Sequence, residues 1–324
     1  MRAMSAPVTG QLNGTVADVG EVALIAAITA RLGSSDVVLL GPGDDAAVVA
    51  APDGRVVATT DVLVESRHFK RDWSSATDVG VRAAGANLAD VAAMGAVPTA
   101  LLVGLAVPLD LSAQWVLELA DGIGEEAARA GAAVVGGDLV RGEVVTISVT
   151  ALGTLEGRDP VTRSGARPGD LVAVAGRLGW SAAGFAVLSR GFRSPRTLVD
   201  AHRRPQPPYD EGPRAAGLGA TAMVDVSDGL VSDLGHVARA SGVAIRLETD
   251  AFHVPQEFVD TSRALNADPL QWLLTGGEDH ALAATFPPDV DLPMAWSVIG
   301  RVEHGEGVLV DGALYVGPGG WRSF

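Results

Sequence analysis

Acidic residues in this chain recur in one setting: an apolar run ends, small residues follow, and an acid appears. The instances are Gly41-Pro42-Gly43-Asp44-Asp45, Thr59-Thr60-Asp61, Gly136-Gly137-Asp138, Asp225-Val226-Ser227-Asp228-Gly229 and Gly276-Gly277-Glu278-Asp279. A sixth lies in a helical segment, where Asn87 and Asp90 share a face at i, i+3. β-Branched runs punctuated this way, alternating with helix-patterned segments, predict an α/β (mixed α+β) chain. In open α/β sheets ligands gather beyond the carboxyl ends of strands, so acids there can converge. Each aspartate taken singly has another reading, because after a strand it commonly caps a helix or bonds its own backbone. Asp228-Gly229, just ahead of a helical segment, fits that reading well. Repetition beside small residues, which let a ligand approach the backbone, favours a metal and phosphate site.

A length of 324 residues suits two domains. The expected organisation is a loose leader over 1–20, a first domain over 21–155 and a second over 156–324, with a Gly-, Pro- and charge-rich connector at 156–170. In the first half, strands are expected near 37–40, 46–50, 56–60, 99–107, 132–135 and 144–152. Ser75 and Asp78 can cap a helix whose apolar stripe is Val81, Ala84, Leu88 and Val91. A second helix follows Asp110 or Ser112, with Trp115, Leu119, Ile123 and Ala127 on one face. In the second half, strands are expected at 170–175 and 223–226 and helices at 180–190 and 230–240. The Pro-rich segment 193–212 reads as an irregular surface loop. Residues 91–109 carry no charge, close to the length of a membrane span, but Pro98, Pro108, Gly95 and Gly104 interrupt them. They read as a helix end, a turn and a buried strand.

Composition narrows the chemistry. With 24 basic and 39 acidic residues the net charge is −15, which argues against nucleic acid as a partner. No cysteine is present, which removes thiolate nucleophiles and disulfides and fits a cytoplasmic, soluble protein. The six histidines show no HxxxH or HExxH spacing, so hard oxygen donors and magnesium are favoured over softer metals. No GxxxxGK[ST] occurs, and Lys70 is the one lysine. Positive charge at a phosphate must therefore come from metal or arginine, with Arg163 and Arg141 beside glycine turns as candidates. Divalent ions bridging phosphate oxygens would reconcile an acidic cleft with a nucleotide.

The ordered segments GDDAAV (43–48), TTDVLVESRHF (59–69), NLADVAAMGAVP (87–98), GGDLVRG (136–142), TRSGARPGD (162–170), VDVSDGLVSDLGH (224–236) and GGEDH (276–280) resemble the thiamine-monophosphate kinase family. The likeness runs from about Glu21 to Phe324. It implies a two-domain fold shared with aminoimidazole ribonucleotide synthetase, with a dimerising N-terminal sheet domain and a C-terminal α/β domain closing the site. It implies transfer of the γ-phosphoryl group of ATP to thiamine monophosphate in a homodimer using several magnesium ions. Metal positions implied are Asp45, Thr59, Thr60, Asp61, Asp90, Asp138, Asp225 and Asp228. Gly137, Asp138, Arg163 and Ser227 would touch ATP, and His68, Glu278 and Trp321 the thiamine phosphate. A tryptophan face suits a cationic thiazolium ring.

The mechanism implied needs no general base, because a phosphate monoester, with its second pKa near 6, is largely ionised at neutral pH. Three segments depart from the family pattern. Ser66-Arg67 stands where Gly-Asn is usual, His280-Ala281 replaces Tyr-Glu, and the segment after His202 ends in Pro208-Tyr209 without its arginine. Other ATP-using superfamily members, a magnesium-dependent phosphatase and a non-catalytic nucleotide or metal binder are the competing readings. The cysteine- or selenocysteine-dependent members are disfavoured by the lack of cysteine.

Overall fold

The computed structural model describes residues 12–42 and 46–317. Of these, the residues up to 88 with 98–154 form one compact unit, and residues 89–97 with those from 155 onward a second.

The first unit opens with helices α1 (Val16–Val19) and α2 (Glu21–Thr29) and a short antiparallel pair, β1 (Val38–Leu40) and β2 (Val48–Val49). There follow β3 (Val57–Val64), α3 (Ala76–Ala93), β4 (Val97–Val107), α4 (Ala113–Arg129), β5 (Ala133–Arg141) and β6 (Thr146–Thr154). The last four strands assemble in the order β3-β6-β4-β5. β3 runs antiparallel to β6 with Thr60 opposite Thr150, and β4 runs parallel to β5 with Gly104 opposite Asp138.

Helix α3 starts where its capping residues dictate. The Asp78 N–H donates to Ser75 Oγ (3.2 Å) and the Ser75 N–H to Asp78 Oδ2 (3.0 Å), satisfying two donors the helix leaves open. Its stripe Val81, Ala84, Leu88 and Val91 is buried, as are Leu119, Ile123 and Ala127 of α4. The two helices meet backbone to backbone. A Cβ on Gly80 would lie 2.2 Å from the Leu119 carbonyl oxygen, and one on Gly122 2.1 Å from that of Thr77. The charge-free stretch divides as expected: α3 ends at Ala93, Gly95 turns at φ +73°, and β4 follows. Among the described residues no helix is long and apolar enough to cross a membrane.

The second unit continues with β7 (Leu171–Ala175), α5 (Trp180–Ser189), α6 (Arg196–Arg203), α7 (Glu211–Gly217), β8 (Ala222–Val226), α8 (Leu230–Ser241), β9 (Ala244–Leu247), α9 (Gln256–Leu265) and α10 (Pro269–Thr275). It closes with β10 (Ala281–Phe286), β11 (Trp296–Glu303), β12 (Gly307–Val310) and β13 (Ala313–Leu314). The sheet order is β13-β12-β9-β11-β7-β10-β8, with β12 parallel to β9 and the other pairings antiparallel. One core cluster joins Met223, Leu282, Ala284, Phe286 and Trp296. The Phe286 and Trp296 rings meet edge to face at 5.0 Å, and the Trp296 indole N–H is satisfied by Glu211 Oε2 at 2.8 Å.

Four expectations change. Asp61 and Asp138 sit inside strands β3 and β5 rather than in turns after them. Gly136-Gly137 does not end its strand, because the missing Cβ of Gly137 lets the Val103 carbonyl of β4 approach to 2.1 Å from where that atom would be. Part of the segment expected as a loose leader is structured: Thr15 and Asp18 form a capping box, and the N–H groups of Val16 and Ala17 pair with the carbonyls of Leu111 and Leu109. Segment 193–212 is not an irregular surface loop. Pro195 precedes α6, whose Leu198, Val199 and His202 turn one face inward, and Tyr209 is buried beyond it.

The close crossing of α3 and α4 yields a stability prediction. Gly122→Ala forces a Cβ into a backbone carbonyl and should destabilise the chain by about 3 kcal/mol or more in urea unfolding. Gly124→Ala, with nothing within 4 Å of its added Cβ, should instead stabilise it by about 0.5–1 kcal/mol. Equal effects from the two would contradict the described crossing.

Candidate active site

In the first unit, β3 and the turn after it carry Thr59, Thr60, Asp61 and His68. The Asp61 N–H donates to Oδ1 of the buried Asn87 on α3 at 2.9 Å, and Asn87 Nδ2 in turn bonds the Ala83 carbonyl at 3.0 Å. Asn87, expected only as a face-mate of Asp90, thus fixes the strand that bears Asp61. Strand alternation divides the triplet: Thr59 and Asp61 share one face and Thr60 takes the other. The Thr60 hydroxyl donates to the Val149 carbonyl (3.0 Å) and accepts from the Thr150 hydroxyl (3.1 Å). His68 Nδ1 accepts the Val64 N–H at 3.0 Å, so the proton of the neutral ring is carried by Nε2.

Asp138 lies at the opposite edge of this sheet. Its carboxylate accepts the Leu139 N–H at 3.0 Å. The register puts its side chain on the face of Gly104, Ser148 and Val62, the face opposite to that of Asp61. Three strand spacings, about 14 Å, also separate β5 from β3. One chain therefore does not bring Asp138 to Asp61. A cavity of about 1210 Å³ in this unit is lined mainly by apolar side chains, with Gly137, Asp138, Ser148 and Thr150 among the exceptions. Asp45 and Trp321 lie outside the described residues.

In the second unit the motifs do converge. Asp225 is the penultimate residue of β8 and is buried. Ser227 and Asp228 follow in the turn into α8, and Gly277, Glu278 and His280 form a turn that closes against it. The Ser227 carbonyl accepts the Glu278 N–H at 2.8 Å, and a Cβ on Gly277 would come within 2.1 Å of that same oxygen. Burial raises the pKa of Asp228, and the negative charges of Glu278 and Asp225 add to it, against partial relief from His236 and Arg163. Arg163, within the connector, acts electrostatically on both Asp228 and His236.

Two residues without an assigned role shape this cluster. Oδ2 of the buried Asp233 accepts the N–H groups of Asp228 and Gly229, both at 3.0 Å, and so fixes the turn. Burial, then Asp225 and Asp228, push its carboxyl up to about 7. His280 Nδ1 lies 3.1 Å from Asp225 Oδ2. Burial works against the imidazolium, but the hydrogen bond and charge of Asp225, with Glu278 and Asp90, outweigh it and raise the ring's pKa to about 9. The family departure at position 280 therefore touches the acidic set itself. An Asp in the first turn of a helix that follows Asp-Gly was the available signal for Asp233. For His280 no local pattern existed, since its partner is 55 residues away.

Among the described residues no three His, Asp or Glu side chains converge on a single ready-made metal position. The chemistry of the set nevertheless fits magnesium. Its donors are hard oxygens, and the crowding that raises the Asp228 carboxyl is what a bound cation would relieve.

Comparison with known proteins agrees across the chain. The model for AIR synthase related protein, N-terminal domain, matches residues 43–155, and that for the C-terminal domain matches residues 167–311. The thiamine-monophosphate kinase of Mycobacterium tuberculosis is 49% identical over 312 residues, covering 96% of this chain and 93% of the relative. The crystal structure of thiamine-monophosphate kinase from Stenotrophomonas maltophilia matches with TM-score 0.79 and 33% identity, over 90% of this chain and 96% of that one. "AaThiL complexed with AMPPCP and TMP" matches with TM-score 0.79 and 35% identity, over 95% and 98%. A hydrogenase maturation protein HypE, at 18% identity and TM-score 0.73, shares the fold. With these relatives matched over nearly its whole length and both domain models found in order, the chain belongs to the thiamine-monophosphate kinase family.

Proposed function

We propose that this chain transfers the γ-phosphoryl group of ATP to the phosphate of thiamine monophosphate, giving thiamine diphosphate, and that it does so in the cytoplasm. The observation that carries the reading is the cluster of Asp225, Asp228 and Glu278 beside Arg163, on the family's own motifs, in a chain similar to a structure complexed with AMPPCP and TMP. Magnesium held by Asp45, Thr59, Thr60, Asp61, Asp90, Asp138, Asp225 and Asp228 would neutralise phosphate oxygens during transfer.

The residues of the chain supply placement. Arg163 offers a planar, permanently charged fork to the nucleotide phosphates. Gly137 would meet the nucleotide through its main chain, and Ser227 would present its hydroxyl from the turn before α8. His68, its Nδ1 occupied by a backbone N–H, offers an Nε2–H donor to the acceptor phosphate. Glu278 and Trp321 would face the thiamine cation. The acceptor is already ionised at neutral pH, so in-line alignment of two anions is the task left to the protein.

The position of Asp138 supports a homodimer. The sheet face that carries it also exposes Val62, Leu102 and Val140, an apolar surface that a second copy would cover. Asp138 would then reach the acidic set of the partner subunit. In this division of labour, residues 21–155 bind ATP and magnesium and dimerise, and residues 156–324 close the site.

Two measurements test this. Purified chain with ATP, magnesium and thiamine monophosphate should form thiamine diphosphate and ADP in equal amounts, and Asp228→Asn should lower the rate at least about 100-fold. Release of inorganic phosphate without acceptor, or tight ATP binding without turnover, would instead favour the phosphatase or binding-protein reading. For the shared site, Asp61→Ala and Asp138→Ala chains, each inactive, should regain about a quarter of parental activity after subunit exchange, because random pairing makes half the dimers mixed, each with one intact site. No recovery in demonstrably mixed dimers would place Asp138 in its own subunit's site.

A further inference from the structure

Arg163 stands on a loop without regular structure, yet its neighbours are tied down unusually fully by one distant side chain. Ser241, the last residue of α8, accepts the Gly165 N–H at 3.1 Å and the Ala166 N–H at 3.2 Å, and its hydroxyl donates to the Arg163 carbonyl at 3.2 Å. A serine hydroxyl has one donor and two acceptor positions, so its whole hydrogen-bonding capacity is spent on residues 163–166. The loop is also held at Thr162. The Thr162 hydroxyl bonds the Ser164 carbonyl at 2.8 Å, and the Met223 N–H bonds the Thr162 carbonyl at 3.0 Å. Gly165 adopts φ +134°, where a side chain would be strained, and its missing Cβ would sit 2.2 Å from the Thr221 carbonyl oxygen.

We infer that Ser241 is a positioning residue for nucleotide binding, holding the loop that aims Arg163 along α8 toward Asp228. This rests on the proposed contact between Arg163 and ATP. Helix α8 spans 12 residues, about 18 Å, from the turn bearing Asp228 to Ser241. Its first end is set by Asp233 and its last by Ser241. The bond from Ser241 to the Arg163 carbonyl sets the Arg163 backbone at the C-terminal end of that helix. One rigid element thus fixes the spacing between a cationic and an anionic group of the same site. Ser241 itself touches neither phosphate nor metal in this account.

The test uses the full chain with Ser241→Ala, Ser241→Thr, Arg163→Ala and the double variant Ser241→Ala/Arg163→Ala. Calorimetric binding of a non-hydrolysable ATP analogue with magnesium and steady-state kinetics are read together, with a thermal melt on each variant. Ser241→Ala should weaken nucleotide binding and raise the ATP KM about tenfold, the loss of one to two hydrogen bonds' worth of preorganisation, with kcat changed less than about threefold. Ser241→Thr, which keeps the hydroxyl, should restore binding. In the Arg163→Ala background the serine substitution should cost less than about twofold more, because its effect passes through that arginine. Full additivity in the double variant, or an unchanged ATP affinity in a Ser241→Ala chain when Arg163→Ala weakens it, would overturn the inference. Parental affinity in Arg163→Ala would remove the underlying assignment of Arg163 and the inference with it, while leaving the assay for thiamine diphosphate to judge the activity separately.

Discussion

Carboxylates crowded together resist ionising together, and the second unit is built around that constraint. Burial raises the cost of charging Asp228, the charges of Glu278 and Asp225 add to it, and the chain answers with Arg163, His236 and a buried His280 rather than with lysine. A pair such as Asp225 and His280 tolerates burial because each partner is hydrogen bonded to the other. The rest of the set remains electrostatically hungry. A nucleotide, itself a polyanion, can enter such a place only in the company of cations.

The acids are positioned through the main chain that carries them. The turn carrying Asp228 is held by two N–H groups on Asp233, and the Glu278 turn is held by its N–H on the Ser227 carbonyl. Asn87 does the same for the strand of Asp61. In each case a polar side chain or carbonyl in the interior fixes the main chain and leaves the acid to face outward. Such preorganisation matters for phosphoryl transfer, where alignment and charge screening supply most of the catalysis.

Much of this was legible in the sequence because it is local. The Ser75–Asp78 capping box, the stripe of α3 and the break at Gly95 are short-range patterns, and all three stand in the structure. The order of the acidic segments identified the family, and the fold follows from that. What stayed hidden depends on pairing between distant residues. Asp61 and Asp138 looked like neighbours of turns, but β6 and β4 extend β3 and β5 past them, so the two acids fall on opposite faces and edges. The helix 196–203 was masked by prolines on both sides. Strands β9 and β11 to β13 are short or mixed in polarity, and their place is set by the sheet rather than by their own pattern.

The central claim is that the acids of this chain hold a nucleotide through cations rather than repel it. Calorimetry with a non-hydrolysable ATP analogue, with magnesium and then with the metal chelated, tests it most directly. Binding should weaken at least about 100-fold when magnesium is removed, and Asp228→Asn should blunt that difference. Equal affinity in the two conditions would contradict the account, since the phosphates would then be held by the protein's own positive groups.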